Sequence, residues 1–243
     1  MISRKLVFII ISILTYNLST AQPVQIGGTY NSQQLVIVKT IGWNDIHGRL
    51  TAYEWNDSKW KEVLKDIPVI VGRSGLAWGK SLLKTQNTEG KQKKEGDGNS
   101  PAGIFKLTGL FGYNDFDSKM NSLKVDTATY CVDDLKSKYY NRIVKTDTVK
   151  KEWNSAETMK LKDDEYKYGV FVAYNTSEIE PGKGSCIFMH IWKNSENPTS
   201  GCTAMTEENI IKLISFLDKN KNPLLIQLPA NEYKKLGKTY ILP

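Results

Sequence analysis

Two short runs near the start, QLVIVKTI at 34–41 and IPVIVG at 67–72, are apolar, β-branched and bounded by glycine or proline, the pattern of buried strands. Between them GRLTAYEW alternates faces after the turn-like NDIHG, so an N-terminal sheet with a hairpin is expected. The chain then changes character. From 84 to 101 the stretch KTQNTEGKQKKEGDGNSP is polar, charged and glycine-rich, with nothing to bury, and reads as a loop. AGIFKLTGLFGY restores a strand and turn, and YGVFVAYN at 168–175 and CIFMHIW at 186–192 add two more strands. The region 114–165, rich in Asp, Lys, Tyr and Asn, has no period that orders it.

The clearest helix follows Cys202. Thr206 stands as N-cap, Glu207 and Glu208 occupy the first turn, and Ile210, Leu213, Ile214 and Leu217 recur at helical spacing. KNKNP marks its end, and LLIQL before Pro229 reads as a last strand. Many strands against one good helix predict a mainly β protein with a helix packed on it.

Met1 to Ala21 has a basic start (Arg4, Lys5), an apolar run from Leu6 to Leu14, and Ser19 and Ala21 placed as in an A-x-A cleavage site, the pattern of a secretory signal peptide. The run is short for a membrane span, retention as an anchor is the weaker alternative, and no later segment approaches the length a span needs. No cysteine follows it to carry a lipid. The expectation is an exported, monomeric protein of the periplasm or cell envelope, with a linker over 22–33 and one domain over 34–243. The net charge of +7 falls to +5 once Arg4 and Lys5 are removed, and the lysines are mixed with acids, as on a solvated surface. Export argues against a nucleic-acid partner, while a weakly basic surface suits an anionic envelope.

Three cysteines leave at least one unpaired in an oxidising compartment. Cys131 and Cys186 are candidates for a disulfide, which would leave Cys202 free. His190 shares a strand face with Cys186, Phe188 and Trp192; taken alone, a histidine on such a strand is more often a core residue than a catalyst. Cys202 sits in TSGCTAM, where Gly201 permits a tight turn and the helix starting near Thr206 would direct its N-terminal partial charge at the thiol. A cysteine nucleophile needs a thiolate fraction, a base and donors for the oxyanion. His190 could take the proton, and the N–H groups around Ser200, Gly201 and Cys202 could form the oxyanion hole. Other matches are weaker. Ser58 to Lys61 and Ser81 to Lys84 fit S-x-x-K without the S-D-N and K-T-G partners, and GRSG lacks the spacing of a nucleophile elbow. No C-x-x-C or paired-histidine cluster suggests zinc, and His47 reads as an exposed loop residue.

The strand bearing His190, a loop, and then Thr199-Ser200-Gly201-Cys202 resembles the signature of L,D-transpeptidase catalytic domains of the YkuD type. GDGNSPAGIF at 96–105 is similar to that family's T-P-x-G-x-F strand, with Ser100 replacing the threonine. The resemblance implies a β-sandwich-like catalytic fold with a helix after the cysteine, and action on peptidoglycan in cell-wall biogenesis and cell shape. It implies stem peptides as both donor and acceptor, a thioester on Cys202, and 3-3 cross-linking or a related transfer. His190 would be general base and then acid, Gly201 and Cys202 would supply oxyanion N–H groups, and Ser200 and Thr199 would support the turn. No metal or organic cofactor is implied. The family's usual Ile or Val and then Arg after the cysteine are Thr203 and Ala204 here. Arg142 or Lys94 is the candidate replacement cation for the substrate carboxylate, and Trp192 a candidate wall of its groove. Water as acceptor would make the protein an L,D-carboxypeptidase or endopeptidase; a site without turnover would leave a wall-binding module.

Overall fold

The computed structural model describes residues 24–83 and 89–243; the expected signal peptide lies outside them. The packed chain starts earlier than the expected linker allows. β1 (Val24–Gln25) pairs in parallel with the last strand of the chain, and α1 (Ile26–Tyr30) follows it. Ile26 is fully buried in the main core, so the segment read as a linker is part of the domain.

β2 (Gln34–Thr40), β3 (His47–Asn56) and β4 (Lys59–Ile70) form the expected antiparallel meander. β5 (Leu76–Trp78) runs parallel to the start of β6 (Ser100–Gly112), the longest strand. The polar stretch before β6 is not wholly solvated, contrary to expectation: Lys93, Asn99 and Ser100 are buried. Polar groups can be buried when hydrogen bonds replace water. Lys93 Nζ lies 2.7 Å from Asp97 Oδ1, and Asn99 Nδ2 donates to Leu76 O at 3.3 Å.

The region without a readable period contains four short strands. β7 (Ser122–Lys124) pairs with the end of β6. β8 (Thr129–Val132), β9 (Ile143–Lys145) and β10 (Ala156–Thr158) make a separate antiparallel sheet with β8 in the middle. This small sheet has a core of its own around Val132, Val144 and Trp153. Strands of three or four residues are too short for alternation to show.

The chain continues through β11 (Tyr168–Val172), β12 (Phe188–Ile191), β13 (Thr203–Met205), α2 (Glu207–Phe216) and β14 (Leu224–Pro229). α2 is the expected helix, with Thr206 Oγ1 capping Asn209 N–H at 3.2 Å and Ile210, Leu213 and Ile214 buried. A further helix, α3 (Ala230–Leu236), follows Pro229 before β15 (Tyr240–Ile241).

The main sheet runs β11-β12-β13-β4-β3-β2-β14-β6, and β6 also pairs with β11. It therefore closes on itself. The length of β6 permits this, because residues 103–106 face β14 while 107–112 face β11. Closure leaves these eight strands without an open edge. The protein is mostly β, as the pattern predicts.

Candidate active site

The parallel pairing of β12 with β13 places the two residues of interest. Met189 pairs with Thr203 and His190 with Ala204, so Cys202 lies just before β13, level with Phe188. The intervening chain folds back as a turn anchored to β4 and β6. Thr199 bridges to Gly72, and Arg73 N–H donates to Thr199 O at 2.8 Å. Two hydroxyls then hold the Cys202 carbonyl: Thr199 Oγ1 donates at 2.6 Å and Ser100 Oγ at 2.9 Å. Ser100 Oγ also accepts from Gly72 N–H at 2.8 Å. A side chain on Gly72 would put its Cβ 2.3 Å from Gly98 O, so glycine is what lets this backbone approach the strand bearing Ser100.

Replacing Ser100 with alanine should leave the Gly72 N–H buried and unpaired, at a cost of about 1–3 kcal/mol. Ser100→Thr should restore most of it. Urea unfolding midpoints provide the measurement, and an alanine variant as stable as the parent would remove this role.

The Cys202 side chain is buried, and Cys202 is the free cysteine among the described residues. Its sulfur accepts from Phe188 N–H at 3.3 Å and donates to Cys186 O at 3.5 Å. Tyr166, in the same apolar cluster, donates to Glu157 Oε1 through a short contact. Burial pushes the thiol well above its ordinary pKa, with the Glu157 charge adding to the rise; the Phe188 N–H, the nearby Tyr166 hydroxyl and the Lys93 charge oppose it. Glu157 is itself pushed up to about 7, first by burial and then by the neighbouring Asp133 and Glu165 charges, while the Tyr166 hydrogen bond works the other way.

His190 is buried beside this group. Its Nδ1 lies 2.8 Å from Ile191 O, which can only accept, so Nδ1 carries the proton and Nε2 the lone pair. Burial lowers its pKa to about 4, against the favourable Ile191 and Glu165 carbonyls and the Asp163 charge. Its ring meets that of Tyr166 edge to face, with centroids 5.0 Å apart. The hydrogen-bond partners of the thiol among the described residues are the backbone groups of Phe188 and Cys186, not the His190 ring.

Aromatic packing fixes Tyr166. Its ring meets Phe111 at 5.5 Å and Phe188 at 5.9 Å, both edge to face. Gly169, opposite His190 in the sheet, makes room for Phe111, because a Cβ there would fall 2.1 Å from the phenylalanine ring. Cys131 and Cys186 form a disulfide in the same apolar cluster as Cys202 and Tyr166. It ties β8 of the small sheet to the chain entering β12. Removing it with a Cys131→Ser/Cys186→Ser pair opens a loop of 55 residues of separation. The expected loss is about 2–4 kcal/mol, read as a lower denaturation midpoint. An unchanged midpoint would show that packing alone holds the small sheet.

A cavity of about 550 Å³ opens onto both Cys202 and His190. Acidic Asp133, Glu157 and Glu165 and basic Arg73, Lys93 and Lys193 all line it. Residues 43–226 match YkuD, the L,D-transpeptidase catalytic domain. The chain belongs to this family. Its members act on peptidoglycan. No curated protein matches the chain. Among solved structures it is similar to the helical cell shape determining protein Pgp2 from Campylobacter jejuni, at 15% identity and a TM-score of 0.42, over 81% of this chain and 47% of that one. A mutant of the same Pgp2 matches at 14% identity and a TM-score of 0.38, with the same coverage. The chain thus aligns to about half the length of those proteins.

Several site residues fall differently from expectation within this L,D-transpeptidase domain. Thr199, Ser200, Gly201 and Trp192 line the cavity with Cys202 and His190. Arg142 and Lys94 are exposed and do not line it. Arg73 and Lys93 do; Arg73 donates to Ser200 Oγ at 3.2 Å, and Lys93 is buried. Lys93 and Lys94 point differently because Asp97 pairs with the side chain of one and the backbone N–H of the other. The start of α2 is not beside the thiol either. β13 intervenes, and at about 3.3 Å per strand residue the helix cap lies beyond the one-turn reach of a helix dipole. Gly201 N–H is engaged by Thr199 Oγ1 at 3.1 Å. Thr203, in place of the family's aliphatic residue, donates to Gln227 Oε1 at 2.6 Å. Ala204 lines the cavity where the family arginine would stand. His47 is exposed, as expected, but it opens strand β3 instead of lying in a loop, and its ring lies 3.0 Å from Ser195 O. Tyr166 and Glu157 were missed. Glu157 belongs to the region without a period and Tyr166 follows it directly, and only their residue types mark them.

Proposed function

We propose that this protein is a cysteine acyl-transferase of the cell envelope, acting on peptidoglycan stem peptides as donor and acceptor through a single catalytic domain. The observation that carries this reading is a free thiol, Cys202, and an imidazole with an available lone pair, His190, lining one cavity large enough for a peptide. The Cys202 sulfur attacks the carbonyl that joins the L-centre of a tetrapeptide to D-Ala. An S–C bond forms, the C–N bond breaks, and the thiol proton ends on the departing nitrogen.

The acceptor amine arrives as an ammonium, since an ordinary aliphatic amine has a pKa of about 10.4. His190 takes one of its protons, which makes the nitrogen nucleophilic, and passes it to solvent, from which the released D-Ala amine has already taken its third proton. Attack of the acceptor on the thioester breaks the S–C bond and restores the thiol with the acceptor's second proton. Backbone N–H groups of Gly201 and Cys202 receive the oxyanion, Gly201 exchanging its bond to Thr199 for one to the substrate. Arg73 and Lys93 provide the positive charge that Ala204 does not, Arg73 facing the substrate carboxylate.

The test is intact-protein mass spectrometry after incubation with purified tetrapeptide muropeptides and, separately, with a carbapenem. An adduct on Cys202 that has lost D-Ala, followed by 3-3 dimers, is the expected result. Tripeptide without dimers would make the protein a hydrolase on the same scaffold, and no adduct with either reagent would leave a wall-binding module.

A further inference from the structure

The chain entering β12 reaches the thiol in a conformation that few side chains adopt. Cys186 is buried with a φ of +55°, in the left-handed region that glycine favours. In that conformation its carbonyl faces the Cys202 sulfur, which donates to it at 3.5 Å and accepts from Phe188 N–H at 3.3 Å. We propose that the Cys186 carbonyl seats the nucleophile, that Asn141 and the Cys131–Cys186 disulfide are the positioning groups that hold it, and that acylation therefore requires an intact disulfide. The inference rests on the reading of Cys202 as the nucleophile. It goes beyond that reading by giving the small sheet a part in the reaction and making the reaction sensitive to reductant.

Two grips from the small sheet converge on Cys186. Its side chain is bonded to Cys131 in β8. Its backbone N–H donates to Asn141 Oδ1 at 2.9 Å. Asn141 lies in the turn between β8 and β9 at a φ of +57°, and its own N–H donates to Val132 O at 2.7 Å, which fixes it to the strand that carries Cys131. Its Nδ2 donates to the chain after β11, to Tyr174 O at 2.9 Å and Asn175 O at 2.7 Å. Every polar group of this side chain is engaged, which leaves one orientation for the oxygen that holds Cys186. A weakly held cysteine would leave the left-handed region, because its Cβ crowds the following carbonyl there. The two grips oppose this, and one of them is covalent.

Seating matters because a thiol is a weak donor with few partners to hold it. With S–H on the Cys186 carbonyl and Phe188 N–H on the sulfur, Cys202 keeps one position in the cavity wall. Without the carbonyl the sulfur loses one of these two partners, whereas attack requires the reacting atoms to be aligned about 3–3.5 Å apart. A dithiol undoes the seat in a balanced step. Two electrons pass to Cys131–Cys186, its S–S bond breaks, each sulfur takes a proton, and the dithiol closes to a cyclic disulfide. Cys186 then relaxes from the left-handed region and its carbonyl turns from the sulfur.

One readout follows the reaction. Reduction with dithiothreitol, followed by desalting under nitrogen, should slow acylation of Cys202 by a carbapenem about tenfold or more in intact-protein mass spectrometry, and reoxidation should restore it. Cys131→Ser/Cys186→Ser should be as slow, with or without reductant. Cys131→Ser/Cys186→Gly separates the cross-link from the conformation. Glycine takes a positive φ at no steric cost, so acylation should return to within about threefold of the oxidised parent, although the unfolding midpoint stays below the parental one. Asn141→Gly keeps the left-handed turn and drops the side chain, and it should slow acylation about tenfold with the disulfide intact.

A second readout needs no substrate. The chain has three cysteines, two of them bonded to each other, so a single S–H stretching band in the infrared reports Cys202. It should lie at the lower wavenumber of a hydrogen-bonded thiol in the parent and in Cys131→Ser/Cys186→Gly, and move up in Cys131→Ser/Cys186→Ser and Asn141→Gly. Circular dichroism of each variant separates loss of fold from loss of the seat, and reduction of the parent tests the proposal without any substitution. Acylation of the reduced parent at the oxidised rate would overturn it. So would a glycine variant as slow as the serine one, which would leave the disulfide as a stabilising cross-link only. The two readings fail separately. The expected infrared pattern without a carbapenem or muropeptide adduct on the oxidised parent would remove Cys202 as nucleophile and keep the seat. Adducts forming equally fast in every variant would keep the nucleophile and remove the seat.

Discussion

Cys202→Ala should abolish acyl transfer, with D-Ala release falling on the order of 10⁴-fold or more, as expected when a covalent nucleophile is deleted. No other side chain in the cavity can take its place. Ser200 lies on the same turn, but its hydroxyl is engaged by Arg73 Nη1 at 3.2 Å. The substitution is small and apolar at a buried position, so the fold should persist while chemistry is lost. Cys202→Ser is the more demanding control. It retains shape and hydrogen bonding, yet a serine hydroxyl holds its proton far more firmly than a thiol, and turnover should still fall steeply. Release of D-Ala by the alanine variant above about one hundredth of the parental rate would be incompatible with a thioester mechanism, whichever acceptor follows.

The second large effect is expected at His190 and is selective. His190→Asn should slow transfer to an amine acceptor by about 10²-fold or more at neutral pH, the range for loss of a general base. Acylation by a carbapenem, which has no incoming ammonium to deprotonate, should be much less affected, so acyl-enzyme should accumulate. Burial holds the His190 pKa at about 4. The imidazole is therefore neutral across the working range, and its base function does not titrate away until the pH falls toward that value. The deficit of the variant should shrink as the pH approaches that of free amine, because solvent then performs the deprotonation. Single-turnover mass spectrometry resolves the two halves of the reaction. Equal losses in acylation and transfer would mean that His190 also serves the thiol.

Much of the site was legible because it is local in sequence. His190, Cys202 and the turn from Thr199 to Gly201 lie within thirteen residues, and a parallel strand pair joined by a short loop brings them together. Ser100 was legible through its motif, though its bond to the Cys202 carbonyl was not. Charge in the sequence points to Lys94 or Arg142 as the cation, whereas Lys93 and Arg73 line the cavity. Neighbouring lysines differ in no intrinsic property, and the choice falls to Asp97, whose two oxygens sort them. Arg73 stands in GRSG, where nothing in the local pattern distinguishes its guanidinium from that of a surface arginine.

By itself, the sequence determined the central strands, helix α2 and the sulfur and imidazole of the site, since each rests on periodicity, capping or residue type within a short window. Closure of the sheet through β6, the three-stranded sheet and the approach of Glu157 and Tyr166 to the thiol were decided only by tertiary structure. These depend on pairings between distant segments and on a disulfide across 55 residues. The titration of Glu157 and His190 belongs with them, because a carboxyl pushed up to about 7 and an imidazole held near 4 are properties of burial and neighbouring charge.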